Sequence, residues 1–243
     1  MRAIASTSVG ITKLMQTQRP PRVGLMVPIN NTTFEPELLK WLPARSSCMT
    51  LRIPRGRGLL TPESLPAYME SALALAEQFA DSEVDIVAYG CTAAGFISGP
   101  AGDAALAQKL RQVTQKPVVT TARSMVISLQ EIGARNIGLI TPYMDLVNQQ
   151  LKAFLADGGI QTRRFDSFYA ETVDQLGRIQ AREVADLARR TMGADCDAMY
   201  IACAQLPTYD ILDELRAEFQ RPVLSSILST AREVMKALEP QPA

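Results

Sequence analysis

The chain reads as an α/β protein of two pseudo-symmetric units, each an open, mainly parallel sheet, and three observations carry that reading. Short apolar runs alternate with helix-period segments along almost the whole length. Three of the runs recur in the same order. Arg22-Val-Gly-Leu-Met-Val-Pro28 returns as Asn136-Ile-Gly-Leu-Ile-Thr-Pro142, and Lys116-Pro-Val-Val-Thr-Thr121 as Arg221-Pro-Val-Leu-Ser-Ser226. Between them, Asp85-Ile-Val-Ala-Tyr-Gly-Cys91 returns as Asp197-Ala-Met-Tyr-Ile-Ala-Cys203 with its tyrosine displaced by one place. The proline-to-cysteine separations are nearly equal in the two copies, which marks an internal duplication with right-handed crossovers. The expected division is a flexible leader over 1–20, a first unit over 21–134 carrying Cys91, and a second over 135–243 carrying Cys203. The last helix, over 226–238, is expected to pack back on the first unit.

Each element has its own signal. Residues 22–28 form an apolar run closed by proline, a buried strand. Asn31, Thr32 and Thr33 offer caps for a helix from Phe34 that carries Leu38, Leu39 and Trp41. A second strand over 48–54 leads to Arg55-Gly-Arg-Gly58, read as a solvated charged loop in preference to a closing loop whose Arg55 and Arg57 clamp a carboxylate. Thr61-Pro62 starts a helix whose apolar positions include Met69, Ala72, Leu73 and Phe79. After the Val84 strand and Cys91, small residues give way to helical periodicity from about Ala104. A strand over 116–121 and a helix over 122–132 close the first unit. In the second, Tyr143 opens a helix ended by Gly158-Gly159. A strand over 161–165 leads to one long helical region over 171–192. Met69, Met125 and Met235 read as core.

Composition narrows the chemistry. The 243 residues include 25 basic and 25 acidic side chains, scattered and cancelling, so no nucleic-acid or anionic-membrane partner is expected. No run approaches a membrane span. Four cysteines without CxxC spacing read as free thiols in a reducing cytoplasm, and no metal site or other cofactor is expected. The chain has no histidine, which removes Ser-His-Asp and Cys-His mechanisms. Any thiolate must therefore be stabilised by backbone N–H groups, helix N-termini and hydroxyls. In open parallel sheets ligands bind beyond the carboxyl ends of the strands. Cys91 and Cys203 both fall there, so two facing units bring them to one interdomain active-site cleft. Cys48 and Cys196 read as buried small hydrophobes.

Four motifs then carry a resemblance: Pro28-x-Asn-Asn31-Thr-Thr, Tyr89-Gly-Cys91-Thr, Thr141-Pro-Tyr143-x-Asp-x-Val-Asn148, and Cys203 followed by Ala-Gln-Leu. In combination they resemble the aspartate/glutamate racemase superfamily, with racemase-like, flavodoxin-like halves. The nearest branch is the maleate cis-trans isomerases, with the arylmalonate decarboxylases as relatives. The resemblance implies Cys91 and Cys203 as the catalytic pair. It also implies a substrate pocket of Asn31, Thr92, Ala93, Tyr143, Val173, Ala204 and Gln205, in which Asn31 and Tyr143 hold a carboxylate. Arylmalonate decarboxylases have glycine in place of the first cysteine, so Cys91 points away from plain decarboxylation. Ala204-Gln205 stands where the isomerases usually have Thr-Asn, and Val173 near the asparagine that grips the distal carboxylate. An apolar Val173 suits a less polar end group.

The expected activity is therefore a cofactor-independent cis-trans isomerase of maleate or a related small dicarboxylate, with Cys91 as nucleophile and Cys203 as opposing acid/base. The expected setting is a cytoplasmic homo-oligomer, dimer or tetramer. The alternatives are a two-cysteine amino-acid or hydantoin racemase, an arylmalonate-type decarboxylase, and a non-catalytic organic-acid-binding protein.

Overall fold

The structure, a computed structural model, describes residues 19–55 and 58–239. Most of the expected leader and Arg57 therefore lie outside the described residues. Eight strands form two four-stranded sheets, and every pairing within them is parallel. In the first sheet β1 (Arg22–Pro28) lies between β2 (Ser47–Ile53) and β3 (Ile86–Tyr89), with β4 (Val118–Thr120) at the far edge. The second repeats that order, with β5 (Asn136–Thr141) between β6 (Gln161–Ser167) and β7 (Ala198–Ile201), and β8 (Val223–Ser225) outermost.

The repeated residues do repeated work. The Asp85 carboxylate accepts the Arg22 N–H at 2.8 Å, fixing the start of β1 against β3. Asp197 accepts the Arg135 and Asn136 N–H groups at 2.9 and 2.7 Å, fixing β5 against β7 in the same way. At the other end of each unit, the Thr120 hydroxyl accepts the Arg123 N–H, and the Ser225 hydroxyl accepts the Leu228 N–H. These caps start α5 (Thr121–Glu131) and α10 (Ser226–Leu238) directly from β4 and β8.

Helices cover the sheets, and one crosses between them. Val23, Leu25, Val27, Ile86 and Ala88 of the first sheet form an apolar cluster with Phe34 and Leu38 of α1 (Phe34–Trp41). Ile227, Ala231 and Val234 of α10 complete that cluster. The C-terminal helix thus covers a sheet that begins about two hundred residues earlier. At roughly 25 cal/mol per Å² of apolar surface, this burial is a major tie between the two halves.

Several local expectations are corrected. The cap of α1 comes from Asn31, whose Oδ1 accepts the N–H groups of Thr33 and Phe34 at 3.1 and 2.9 Å. Neither threonine supplies a side-chain cap. The small residues after Cys91 are helical: α3 (Thr92–Ile97) follows the cysteine at once, and α4 (Gly99–Thr114) begins well before Ala104. Tyr143 does not open a helix, because α6 starts at Asp145 and runs to Asp157. The long helix over 171–192 is two helices, α7 (Val173–Arg178) and α8 (Ala181–Thr191). Ile179 and Gln180 are extended between them, and Gln180 forms a capping box with Glu183 that starts the second.

Candidate active site

The carboxyl ends of both sheets open on one cleft, and all nine residues singled out from the sequence line it. Its cavity volume of about 40 Å³ has room for only about three waters by the measure of one probe sphere per water.

Cys91 leaves β3 in an extended conformation and immediately precedes α3. Two glycines make that approach possible. A Cβ on Gly90 would lie 2.7 Å from the Phe34 ring and 2.8 Å from the Met26 carbonyl. One on Gly95 would lie 2.4 Å from Ala122 Cβ and 2.7 Å from Asp103 Oδ1. Burial raises the Cys91 thiol above its ordinary pKa. The Ala94 N–H, the Tyr68 hydroxyl, the Arg55 charge and the Ala93 N–H oppose that rise. The adjacent Thr92 hydroxyl is buried without a hydrogen-bond partner.

Cys203 has a φ of +152°, a backbone region that side chains other than hydrogen rarely occupy. Its N–H donates to the Ser226 hydroxyl at 3.1 Å, and its sulfur accepts the Gln205 N–H at 3.4 Å. Burial is the largest influence on this thiol too, and it raises the pKa. The Tyr143 hydroxyl and the Gln205 N–H lower it, proximity to a Cys91 thiolate raises it, and Arg55 lowers it. Because each negative sulfur disfavours the other, the pair ionises one at a time.

The tyrosines paired with the thiols are held differently. Tyr143 is buried, with its ring edge-on to Phe96 at 5.5 Å between centroids. Its carbonyl accepts from the Asn148 amide at 2.6 Å and the Ser167 hydroxyl at 2.7 Å, and its N–H donates to the Thr141 hydroxyl at 3.2 Å. This network explains the Thr-Pro-Tyr-x-Asp-x-Val-Asn pattern: Thr141 and Asn148 lock the loop that aims Tyr143. Tyr68 comes from α2 (Leu65–Ala76), and its buried hydroxyl has no oxygen or nitrogen partner. The sequence reading missed it, since it looks like one more apolar position on a helix face. Its only outward signal is a phenol placed where the sheet-facing positions are otherwise aliphatic.

Contacts of Asn31 and Gln205 bind the two units together, and Arg55 departs from expectation. Asn31 donates its amide to the Ala204 carbonyl at 3.0 Å, and so fastens the two strand-end loops together besides lining the cleft. The Gln205 amide is engaged by Thr32, accepting its N–H at 3.1 Å and donating to its hydroxyl at 3.2 Å. Arg55 is not a solvated loop residue. It is half-buried and lines the cleft, and its Nε donates to Asn30 Oδ1 at 3.0 Å. Val173, at the first turn of α7, presents an apolar wall together with Leu176.

The chain is similar to known proteins. The chain is 28% identical over 231 residues to a maleate isomerase of Geobacillus stearothermophilus, covering 89% of this chain and 91% of the relative. It is 30% identical over 209 residues to the arylmalonate decarboxylase of Bordetella bronchiseptica, covering 85% and 82% respectively. Among solved structures, it superposes with a TM-score of 0.81 and 25% identity on a Nocardia farcinica maleate cis-trans isomerase. That structure is a cysteine-to-serine variant carrying a covalently bound succinylcysteine intermediate, and the match covers 90% of this chain and 92% of the other. The arylmalonate decarboxylase family profile matches residues 23–243, a span that takes in both sheets, both thiols and the cleft between them, and the chain belongs to that family.

Proposed function

We propose that the protein is a two-cysteine cis-trans isomerase of maleate or a closely related small dicarboxylate. The observation that carries this reading is the convergence of Cys91 and Cys203 on one narrow cleft, each beside a tyrosine hydroxyl and a backbone N–H donor. The Cys91 thiolate adds to one alkene carbon, forming a C–S bond, and the π electrons move to the neighbouring carbon and its carboxylate. The Cys203 thiol protonates that carbon and becomes the thiolate. Rotation about the new single bond follows. Cys203 then takes the proton back, the C–S bond breaks with return of its electrons to Cys91, and the trans alkene leaves. No cofactor enters these steps, and the pair ends in its starting charge state. Tyr143, Asn31 and the unpartnered Thr92 hydroxyl are the donors placed to hold the carboxylates.

The relatives support the reading on both sides. A succinylcysteine is the adduct that addition and protonation would leave, and it is bound in the Nocardia isomerase variant. Decarboxylation of an arylmalonate is the second reading, favoured by the family profile. The additional thiol at Cys91 weighs against it. The protein is taken to work in the cytoplasm as a homo-oligomer, dimer or tetramer. Among the described residues, no helix is long and apolar enough to cross a membrane.

Proton NMR of maleate and phenylmalonate with the purified chain, Cys91→Ser and Cys203→Ser separates the readings. Isomerisation predicts fumarate from wild type and a loss of about 10³-fold or more in kcat for either variant, the scale seen when a nucleophile or its acid/base partner is removed. Cys203→Ser should also retain a covalent adduct of one substrate mass on Cys91. Release of CO2 from phenylmalonate that survives Cys91→Ser, with no fumarate formed, would replace the isomerase with the decarboxylase.

A further inference from the structure

Among the described residues lining the cleft, one side chain is charged, and it is Arg55. It lies two residues beyond the end of β2 and is half-buried. The bond from its Nε to Asn30 fixes the guanidinium, while neither terminal nitrogen has a hydrogen-bond or ion-pair partner among the described residues. The neighbouring Arg52 is engaged elsewhere, by the Asn31 carbonyl and Glu35. Gly58 pairs antiparallel with Thr172, the residue before Val173, and Leu59 and Leu60 join Val173 and Leu176 in the apolar part of the lining.

A dianion entering such a space meets neutral donors at the strand ends and apolar side chains on the α7 side. Taking a second carboxylate out of water there is strongly unfavourable unless a cation pairs with it. The reactive state already holds one thiolate, so an unpaired dianion would place three negative charges in one small cavity. Arg55 is the available counter-charge, and its field reaches both sulfurs. A guanidinium with two unused N–H edges also matches a carboxylate in a way that a single amide cannot.

We propose that Arg55 binds one carboxylate of the substrate through its terminal nitrogens, and that this contact selects dianionic substrates over their monoanionic half-amides. The assignment rests on the isomerase reading and supplies, from the first unit, the polar grip that Val173 cannot supply from the second. It also reverses the expectation that the apolar Val173 sets the site for a less polar end group.

The test measures kcat/KM for maleate and for its half-amide by NMR, and the affinity for the unreactive diacid succinate by calorimetry, in wild type, Arg55→Gln and Arg55→Lys. Loss of a charge-assisted pair should cost Arg55→Gln about 10- to 100-fold more for the diacid than for the half-amide. Succinate binding should weaken in parallel, with Arg55→Lys between the two. Equal losses for diacid and half-amide, or succinate bound equally well by Arg55→Gln and wild type, or no succinate binding by wild type, would overturn the proposal. Arg55-dependent succinate binding in a wild type that makes no fumarate would leave the subsite standing and remove the isomerase. Fumarate production insensitive to Arg55→Gln would do the reverse.

Discussion

Gln205 and Thr32, 173 residues apart, are joined by two hydrogen bonds that tie the strand-end loop after β7 to the one after β1. Three residues after Gln205, Thr208 adds its N–H and hydroxyl to the buried carboxylate of Glu37 at 2.7 and 2.9 Å. The cleft therefore has a floor bonded across both sheets, with Asn31 and Cys203 standing on it.

Gln205→Ala should cost about 0.5–1.5 kcal/mol of unfolding free energy, because it removes both hydrogen bonds to Thr32. Urea denaturation would show this as a lower midpoint at unchanged m-value. Since Thr32 adjoins Asn31, KM should rise more than kcat falls. A variant with wild-type midpoint and kinetics would show that the pair contributes nothing to the floor.

The backbone of Cys203 leads to a reversal of an ordinary preference. Glycine is normally the less stable replacement, having more freedom to lose on folding. At a φ of +152° the order should invert, with Cys203→Gly more stable than Cys203→Ala by on the order of 1 kcal/mol. Thermal unfolding of the two variants side by side reads the sign directly. Alanine as the more stable residue would mean that Cys203 is unstrained.

The thiols themselves have a pH signature. Burial raises both Cys91 and Cys203, and it pushes Cys48 up to about 12. Each of these acids holds its proton more tightly in the folded chain. Their contribution to stability is complete below the ordinary thiol pKa and is lost as pH rises through the folded values. Iodoacetamide labelling mapped by mass spectrometry should be slow at neutral pH and accelerate in the alkaline range. Arg55→Gln should move the Cys91 and Cys203 curves further up, since that guanidinium lowers both. Labelling of Cys91 or Cys203 at pH 7 as fast as a free thiol would contradict the burial argument.

What could be read in the sequence was local and repeated. Asp85 and Asp197, Thr120 and Ser225, and the apolar strands between them are short-range signals, and the duplication doubled each one. The two cysteines inherit their position from those strands, which is why both fall on the cleft. Contacts made across the chain left no such mark. Tyr68 meets Cys91 only because α2 packs against β2 and the α3 helix that follows the cysteine, and its own stretch offers nothing but helical periodicity. Gln205 could be placed on the cleft, but its amide partner lies in the other unit and no spacing points to it. Arg55 sits in a run of arginines and glycines whose composition speaks for water, and the Gly58–Thr172 pairing that follows it joins residues remote in sequence. Helix boundaries erred where small residues hid α3 and where Ile179 interrupted an otherwise unbroken amphipathic pattern.

The path of α10 has a consequence for how the chain can be divided. A fragment ending near residue 134 would keep all four strands of its sheet and yet leave Val23, Leu25, Ile86 and Ala88 covered by α1 alone, because the second helix that shields them, α10, is encoded about two hundred residues away. The complementary fragment would carry that helix with nothing to wrap. Gene halves made at the repeat junction should thus be insoluble when expressed apart and recover only when produced together, while a permuted gene that fuses α10 directly ahead of β1 should place the shield beside the strands it covers.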